Sequence, residues 1–139
     1  MKQIMKKLLL LSLVSFFSIS LISCKKTNDP PEKDRDLEFT VVENADLPEK
    51  LATYIEEKKN NPFKLTYENE DYLYIVQGYG AQKSGGYSIS VDELYLADDW
   101  IYVKTSLIGP GKNEPVTQNI TYPYVVIKTE FMDNEVCFQ

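Results

Sequence analysis

The sequence predicts a mainly β protein of the α+β class, an antiparallel β-sandwich or partly open barrel with one N-terminal amphipathic helix. Three observations carry that prediction. From Phe63 onward, apolar and polar residues alternate with a period of two, and aromatic and β-branched side chains dominate, as in half-buried strands. Before that point a single stretch, residues 47–59, repeats its apolar residues at helical spacing. Residues 37–139 are enough for one hydrophobic core and too few for two.

The N-terminus reads as an export signal, residues 1–23. Lys2, Lys6 and Lys7 form a positive head, and residues 8–22 form a fifteen-residue apolar run broken only by serines, short of the roughly 20 residues of a membrane span. The run ends in Leu21-Ile22-Ser23-Cys24, which resembles the lipobox of bacterial lipoproteins. That resemblance implies cleavage before Cys24 and acylation of its thiol, hence a chain anchored in the bacterial cell envelope, at the outer membrane or cell surface. With Cys24 acylated, Cys137 has no intramolecular partner and is expected to be a small apolar residue near the C-terminus.

Residues 24–36 read as the acylated cysteine and a flexible tether, since after Cys24 charges and polar residues surround Pro30 and Pro31. One globular domain follows, residues 37–139. Leu37-Glu38-Phe39-Thr40-Val41 alternates and predicts a first strand. The helix over 47–59 is expected to take Asp46 as its N-cap, with Glu49 completing a capping box, and to stop at Asn60-Asn61-Pro62. Its charged outer face predicts only solvation.

Next come strands over 64–67 and 71–78, joined by a turn at Glu68-Asn69-Glu70. Tyr72-Leu73-Tyr74-Ile75-Val76 is apolar on both faces, as a central covered strand must be. A glycine-bounded loop, residues 78–87, then leads into Tyr87-Ser88-Ile89-Ser90-Val91. The apolar phase slips at Asp92-Glu93 and predicts a bulge or bend there. Ala97-Asp98-Asp99 turns the chain into a strand over 100–107. Residues 108–115, dense in turn formers, predict an exposed excursion. Residues 116–121 and 124–129 read as strands or one bent strand, Pro123 as an edge or kink, and residues 131–139 as a last short strand.

Composition narrows the function. The chain has no histidine, which removes Ser-His-Asp and Cys-His catalysis and imidazole zinc sites. Its net charge is −6, and loss of the three leader lysines would take it to −9, so it repels nucleic-acid backbones. Glu68, Glu70 and Asp71, or Asp98 and Asp99, lack the ligand spacing of a calcium loop. No metal or cofactor is expected, and no enzyme activity. A phosphate cradle needs a helix after its glycines, whereas Gly86 is followed by a strand pattern.

The loop carries the best clue. Gly78-Tyr79-Gly80 opens it and Ser84-Gly85-Gly86-Tyr87 closes it. With the strand over 100–107, Val116-Thr117-Gln118 and Thr121-Tyr122-Pro123-Tyr124-Val125-Val126-Ile127-Lys128, it resembles the C-terminal domain of the protease-complex subunit PrcB, over about residues 71–129. Ser84 stands where that family usually has threonine, and Lys83 where it often has proline. The resemblance implies a non-catalytic accessory protein that binds, and stabilises, a secreted or surface protease. Candidate contact residues are Gly78, Gly80, Ser84, Gly85, Gly86, Tyr87, Tyr122, Pro123 and Tyr124. Two alternatives stand beside it. The loop is also similar to the one chagasin-like protease inhibitors insert into a cleft, and a small-ligand or envelope-binding lipoprotein would use the loop only structurally.

Overall fold

A computed structural model describes Cys24 and residues 29–139. The expected leader, residues 1–23, and the tether residues 25–28 lie outside the described residues. No helix among the described residues is long and apolar enough to cross a membrane.

Among the described residues, eight strands form two four-stranded sheets, in the orders β1-β5-β6-β8 and β2-β7-β4-β3. In chain order they are β1 (Arg35–Asp36), β2 (Thr40–Val41), β3 (Pro62–Glu68), β4 (Tyr72–Tyr79), β5 (Ser88–Ala97), β6 (Trp100–Ile108), β7 (Tyr124–Glu130) and β8 (Glu135–Phe138). A short 3-10 turn, Asn44–Asp46, and one helix, α1 (Glu49–Lys58), lie between β2 and β3. No strand pairing among the described residues closes the sheets into a barrel.

Alternation builds the layers. Leu73, Ile75, Val125 and Ile127 from one sheet meet Leu94, Ile101 and Val103 from the other in a shared core, giving a sandwich-like arrangement. Burying one such side chain contributes about 1.5–3 kcal/mol. The opposite face of β4 and β7 offers Tyr74, Val76 and Val126 to Leu51 and Ile55 of α1. The two-faced apolar run over 72–76 is therefore an inner strand, between β7 and β3, with one face on the core and one under the helix.

The helix lies where its spacing predicts, but its start differs. Asp46 belongs to the 3-10 turn, and the helix is preceded by Pro48, with no side-chain cap bond. Pro48 fixes φ near the helical value and has no N–H to cap, so the capping box does not form. The β3–β4 turn uses Asn69, whose Oδ1 accepts from the backbone N–H of Asp71 (3.1 Å) and Tyr72 (2.8 Å).

The phase slip at Asp92-Glu93 is a bulge: β5 pairs with β6 up to Glu93, skips Asp92, and resumes at Val91 opposite Thr105. The hairpin beyond it turns on Asp98 (φ 50°) and Asp99 (φ 62°), a two-residue connection that requires left-handed backbone.

Four expectations give way. Residues 37–41 are not one strand. β1 pairs with β5, β2 pairs with β7, and buried Leu37 sits between, where the chain passes from one sheet to the other. Alternation cannot distinguish a strand from such a crossover. Residues 116–121 are not a strand either: their backbone bonds run to the connection at residues 80–87, Gly85 N–H to Thr117 O and Gln82 with Thr121 in both directions, and only Thr121 makes an isolated bridge, to Gln82. The sheets are not purely antiparallel, since β8 runs parallel to β6. The end of the expected tether is held, with Asp34 N–H donating to Leu96 O (2.9 Å) and Arg35–Asp36 in β1.

Cys24 and Cys137 are joined by a disulfide, 5.5 Å between Cα atoms. They pack with Ala97 and the stacked Tyr95–Tyr102 pair on the outer face of the β1-β5-β6-β8 sheet. The lipobox resemblance implies a lipid on the Cys24 sulfur and leaves Cys137 without an intramolecular partner; here that sulfur is bonded to Cys137 instead. One divalent sulfur holds either bond, so acylation and this disulfide are alternative states of Cys24.

Candidate functional site

Two long loops meet at one end of the sandwich. The first, residues 80–87, joins β4 to β5; the second, residues 109–123, joins β6 to β7. Their backbones are tied to one another: Gln82 N–H donates to Thr121 O (2.8 Å), Thr121 N–H returns to Gln82 O (3.0 Å), and Gly85 N–H donates to Thr117 O (2.9 Å). Thr121 Oγ1 adds a bond to Ser84 O (2.7 Å). The Ser84-Gly85-Gly86-Tyr87 motif and the Thr121-Tyr122-Pro123-Tyr124 motif, far apart in sequence, thus form one continuous surface.

Glycine permits this contact at Gly86. Its φ is +84°, and an added Cβ would lie 2.6 Å from Val116 Cγ1 and 3.0 Å from Pro110 Cβ. A side chain there would be strained and would push the loops apart. At Gly85 a Cβ would lie 2.6 Å from Thr117 Oγ1. Lys83, where the resemblance expects a proline, is exposed at the loop surface.

The other candidate residues are placed less evenly. Gly78 and Tyr79 belong to β4, not to the loop. Gly78 is buried beneath the Phe63 ring of β3, and Gly80 (φ +73°) is buried against Pro62 at the α1–β3 corner, so both shape the site from below. Tyr79 shares a 2.6 Å hydroxyl hydrogen bond with Thr105 of β6, joining the two sheets under the loops. Its backbone N–H donates to Pro123 O (3.0 Å).

Tyr122 is half-buried under Lys59, whose ammonium stands 5.2 Å from the ring centroid. Lys59 also pairs with Glu56 at 2.7 Å, and that hydrogen bond is the main reason its pKa lies above the ordinary lysine value. The end of α1 is thereby fastened to the second loop. Tyr124 Oη donates to Asn44 Oδ1 (2.6 Å), and burial pushes its phenol above the ordinary tyrosine range. Tyr87 lines a groove of about 280 Å³ together with Val41, Ile89, Pro123 and Tyr124.

The sequence reading missed Ile120. It is the most exposed large apolar residue described, at 63%, and lies beside Thr121 on the laced loop. Its signal is an apolar residue between Asn119 and Thr121 in a segment that reads as a strand. Neither motif supplies an acid, a base or a nucleophile with a partner to activate it. What the two loops offer is a shaped, mostly uncharged surface with Tyr87, Ile120 and Tyr122 at or near it.

A larger cavity, about 580 Å³, is elsewhere. It opens between the crossover at residues 35–40 and the far ends of β4 and β7, lined by Arg35, Glu38, Phe39, Tyr72 and Lys128 among others. None of the candidate contact residues reaches it.

Residues 73–130 match the family model described as PrcB C-terminal. The resemblance read from the loop and strand motifs is therefore found again, over almost the same span. The matched segment runs from β4 to β7 and includes both laced loops, while α1 and β3 fall outside it. No curated protein and no solved structure matches the chain.

Proposed function

We propose that this chain, PrcB C-terminal-like over residues 73–130, is a non-catalytic accessory lipoprotein that binds and stabilises a secreted or surface protease through its two laced loops. The observation that carries this reading is the Ser84–Thr121 junction, where the two sequence motifs of the resemblance meet through one side-chain and several backbone hydrogen bonds. A surface fixed in this way binds without ordering a loop first, and that lowers the entropic cost of association. The inhibitor alternative would use the same fixed surface, and cleavage rates of a panel of cysteine and serine proteases assayed with the purified domain distinguish it: unchanged rates across the panel remove it. The envelope anchor in this proposal is an acylated Cys24, and it requires that the Cys24 sulfur be freed from Cys137.

Cross-linking followed by co-purification with the tagged full-length chain tests the proposal. A protease should be recovered with the native chain and lost with Gly86→Asp, which disrupts the loop contact, and with Tyr87→Ala, which leaves it intact. Circular dichroism of both variants checks that the fold survives. Recovery of no protease overturns the reading. Mass analysis of the N-terminal peptide from membranes separates the two states of Cys24: an acylated residue 24 supports the anchor, and a disulfide-linked one removes it.

A further inference from the structure

The two sheets do not protect their edges equally. Strand β3 is an outer strand that begins at Pro62 and carries Lys64 and Glu68, features that blunt an edge against further pairing. Strands β1 and β2 have two residues each, and β8 has four. Strand β5 is different. Beyond the bulge, Ser88-Ile89-Ser90-Val91 carries no charge and no proline, and among the described residues it has a neighbour on one side only, β6. Strand β1 covers β5 only around Tyr95 and Leu96 before the chain leaves at Leu37 for the other sheet.

The register says which groups are left over. The hairpin closes at Ala97–Trp100, and Leu94 and Leu96 use their carbonyls outward, toward Leu37 and Asp34. Antiparallel pairing alternates inward and outward bonds, and the bulge at Asp92 reverses the parity. Ser88 and Ser90 therefore bond to β6, and the N–H and C=O groups of Ile89 and Val91 point to the open side. The 280 Å³ groove is lined by Ser88 and Ile89 of this edge, and Val41, exposed at 52%, borders it from the opposite sheet. That volume falls just below the roughly 300–1,000 Å³ of small-molecule pockets, but it suits the side chains of an added strand. Glu43 follows the lining residue Val42, and Asp92 follows Val91 at the end of the open edge; both are exposed carboxylates, Asp92 also accepting from Ser90 and Ser106, and no lysine or arginine lines the groove.

We propose that the Ser88–Val91 edge of β5 is a strand-addition site, which takes an extended protein segment with apolar side chains at alternate positions and lysine or arginine at its flanks. The main chain of the segment pairs with Ile89 and Val91 in line with β1, its apolar side chains enter the groove under Tyr87 and Val41, and its basic flanks meet the carboxylates. Gly86 and Tyr87 run directly into this edge, so the site continues the loop surface. The identification of the occupant as a segment of a protein partner rests on the reading proposed above; the edge itself does not.

The test uses the full chain and the peptide Lys-Val-Thr-Val-Thr-Val-Lys, with two controls: the same peptide N-methylated at alternate residues, and a copy flanked by glutamate. Amide exchange at Ile89 and Val91, followed by NMR, should slow by about tenfold or more on saturation with the lysine-flanked peptide. Both controls, and the substitution Val41→Lys in the protein, should each weaken binding about tenfold, or 1.4 kcal/mol. Unchanged exchange at these two amides, or equal binding of the N-methylated peptide, overturns the proposal. So does protection of the same amides that grows with protein concentration alone, because the occupant is then a second copy of this chain. Recovery of a protease by the Val41→Lys chain at the native level, with loss in Gly86→Asp, overturns strand addition and leaves the accessory reading standing. Peptide binding with no protease recovered supports strand addition and removes the accessory reading.

Discussion

The two ends of the sandwich are built by different means. At the end where β4 leads into the first loop, backbone groups tie the loops: Gln82 to Thr121 in both directions, Gly85 to Thr117, Tyr79 to Pro123. At the other end, around the 580 Å³ cavity, side chains make several of the connections. Arg35 Nη2 donates to Met132 Sδ at 3.5 Å, Lys128 lies 3.8 Å from the Tyr72 ring centroid, and one backbone bond runs from Phe131 N–H to Asp71 O. Exposed charged side chains hold a position weakly, because solvent screens them and rotamer entropy opposes them. Paired backbones hold it well. The loop end is thus held by backbone bonds between loops, the far end by strand pairing together with exposed side chains, and the recognition by preformed shape proposed above draws on the first.

Substitutions at the two ends test that contrast. The largest effect should come from Gly86→Val, which puts a β-branched residue at φ +84° and its Cβ against Val116 and Pro110; denaturant titration should show a loss of about 3 kcal/mol. A loss no larger than that at the far end would erase the distinction. Thr121→Val removes the bond to Ser84 O and keeps the shape, so the loss should be about 1 kcal/mol, with faster exchange at the Gly85 amide as a local sign. Arg35→Ala and Lys128→Ala at the far end should each change stability by no more than about 0.5 kcal/mol.

The smallest effects are pH-dependent and have opposite signs. Burial raises the Tyr124 pKa in the folded state. Its contribution is thus complete below the ordinary tyrosine range and is lost as pH rises through the raised value. In Tyr124→Phe this alkaline loss should vanish. Asp92 is the reverse case. Hydrogen bonds from Ser106 and then Ser90 hold its carboxyl below the ordinary range, so its contribution is present above that range and fades as pH falls through the lowered value. In Asp92→Asn the acid limb of the stability profile should flatten slightly, since the carboxylate is exposed.

Much of the fold was legible because a period reports burial directly. The two-faced run at residues 72–76, the helical spacing of Leu51 and Ile55, and the parity change at Asp92-Glu93 each record which side of an element meets the core. The parts that were not legible depend on which elements lie side by side, and local patterns do not contain that. Leu37 alternates like a strand residue whether its neighbours share one sheet or are divided between two. Glu135–Phe138 reads as a strand with no sign that it will run parallel to β6. Residues 116–121 look strand-like, yet their main contacts are with another loop. For the site, the motifs were visible and their meeting was not. Ser84 and Thr121 are 37 residues apart, and only the fold joins them. Ile120 and the open edge at Ile89 and Val91 were hidden for the same reason.

Under the anchor proposed above, the passage of the chain at Leu37 also has a mechanical meaning. A pull arriving from the N-terminal side reaches β1 first, two residues long and bonded edge-on to β5, and such a short ladder opens one bond at a time. Leu37, buried between the sheets, is the next point of resistance, and beyond it the load passes to β2 and the opposite sheet. The sandwich would thus begin to open along the seam between its sheets, beside the β5 edge, while the laced loops at residues 80–87 and 109–123 stay outside the line of force. With Cys24 bonded to Cys137 no acyl chain on that sulfur transmits the pull, so the state of a single sulfur decides whether β1 bears a load at all.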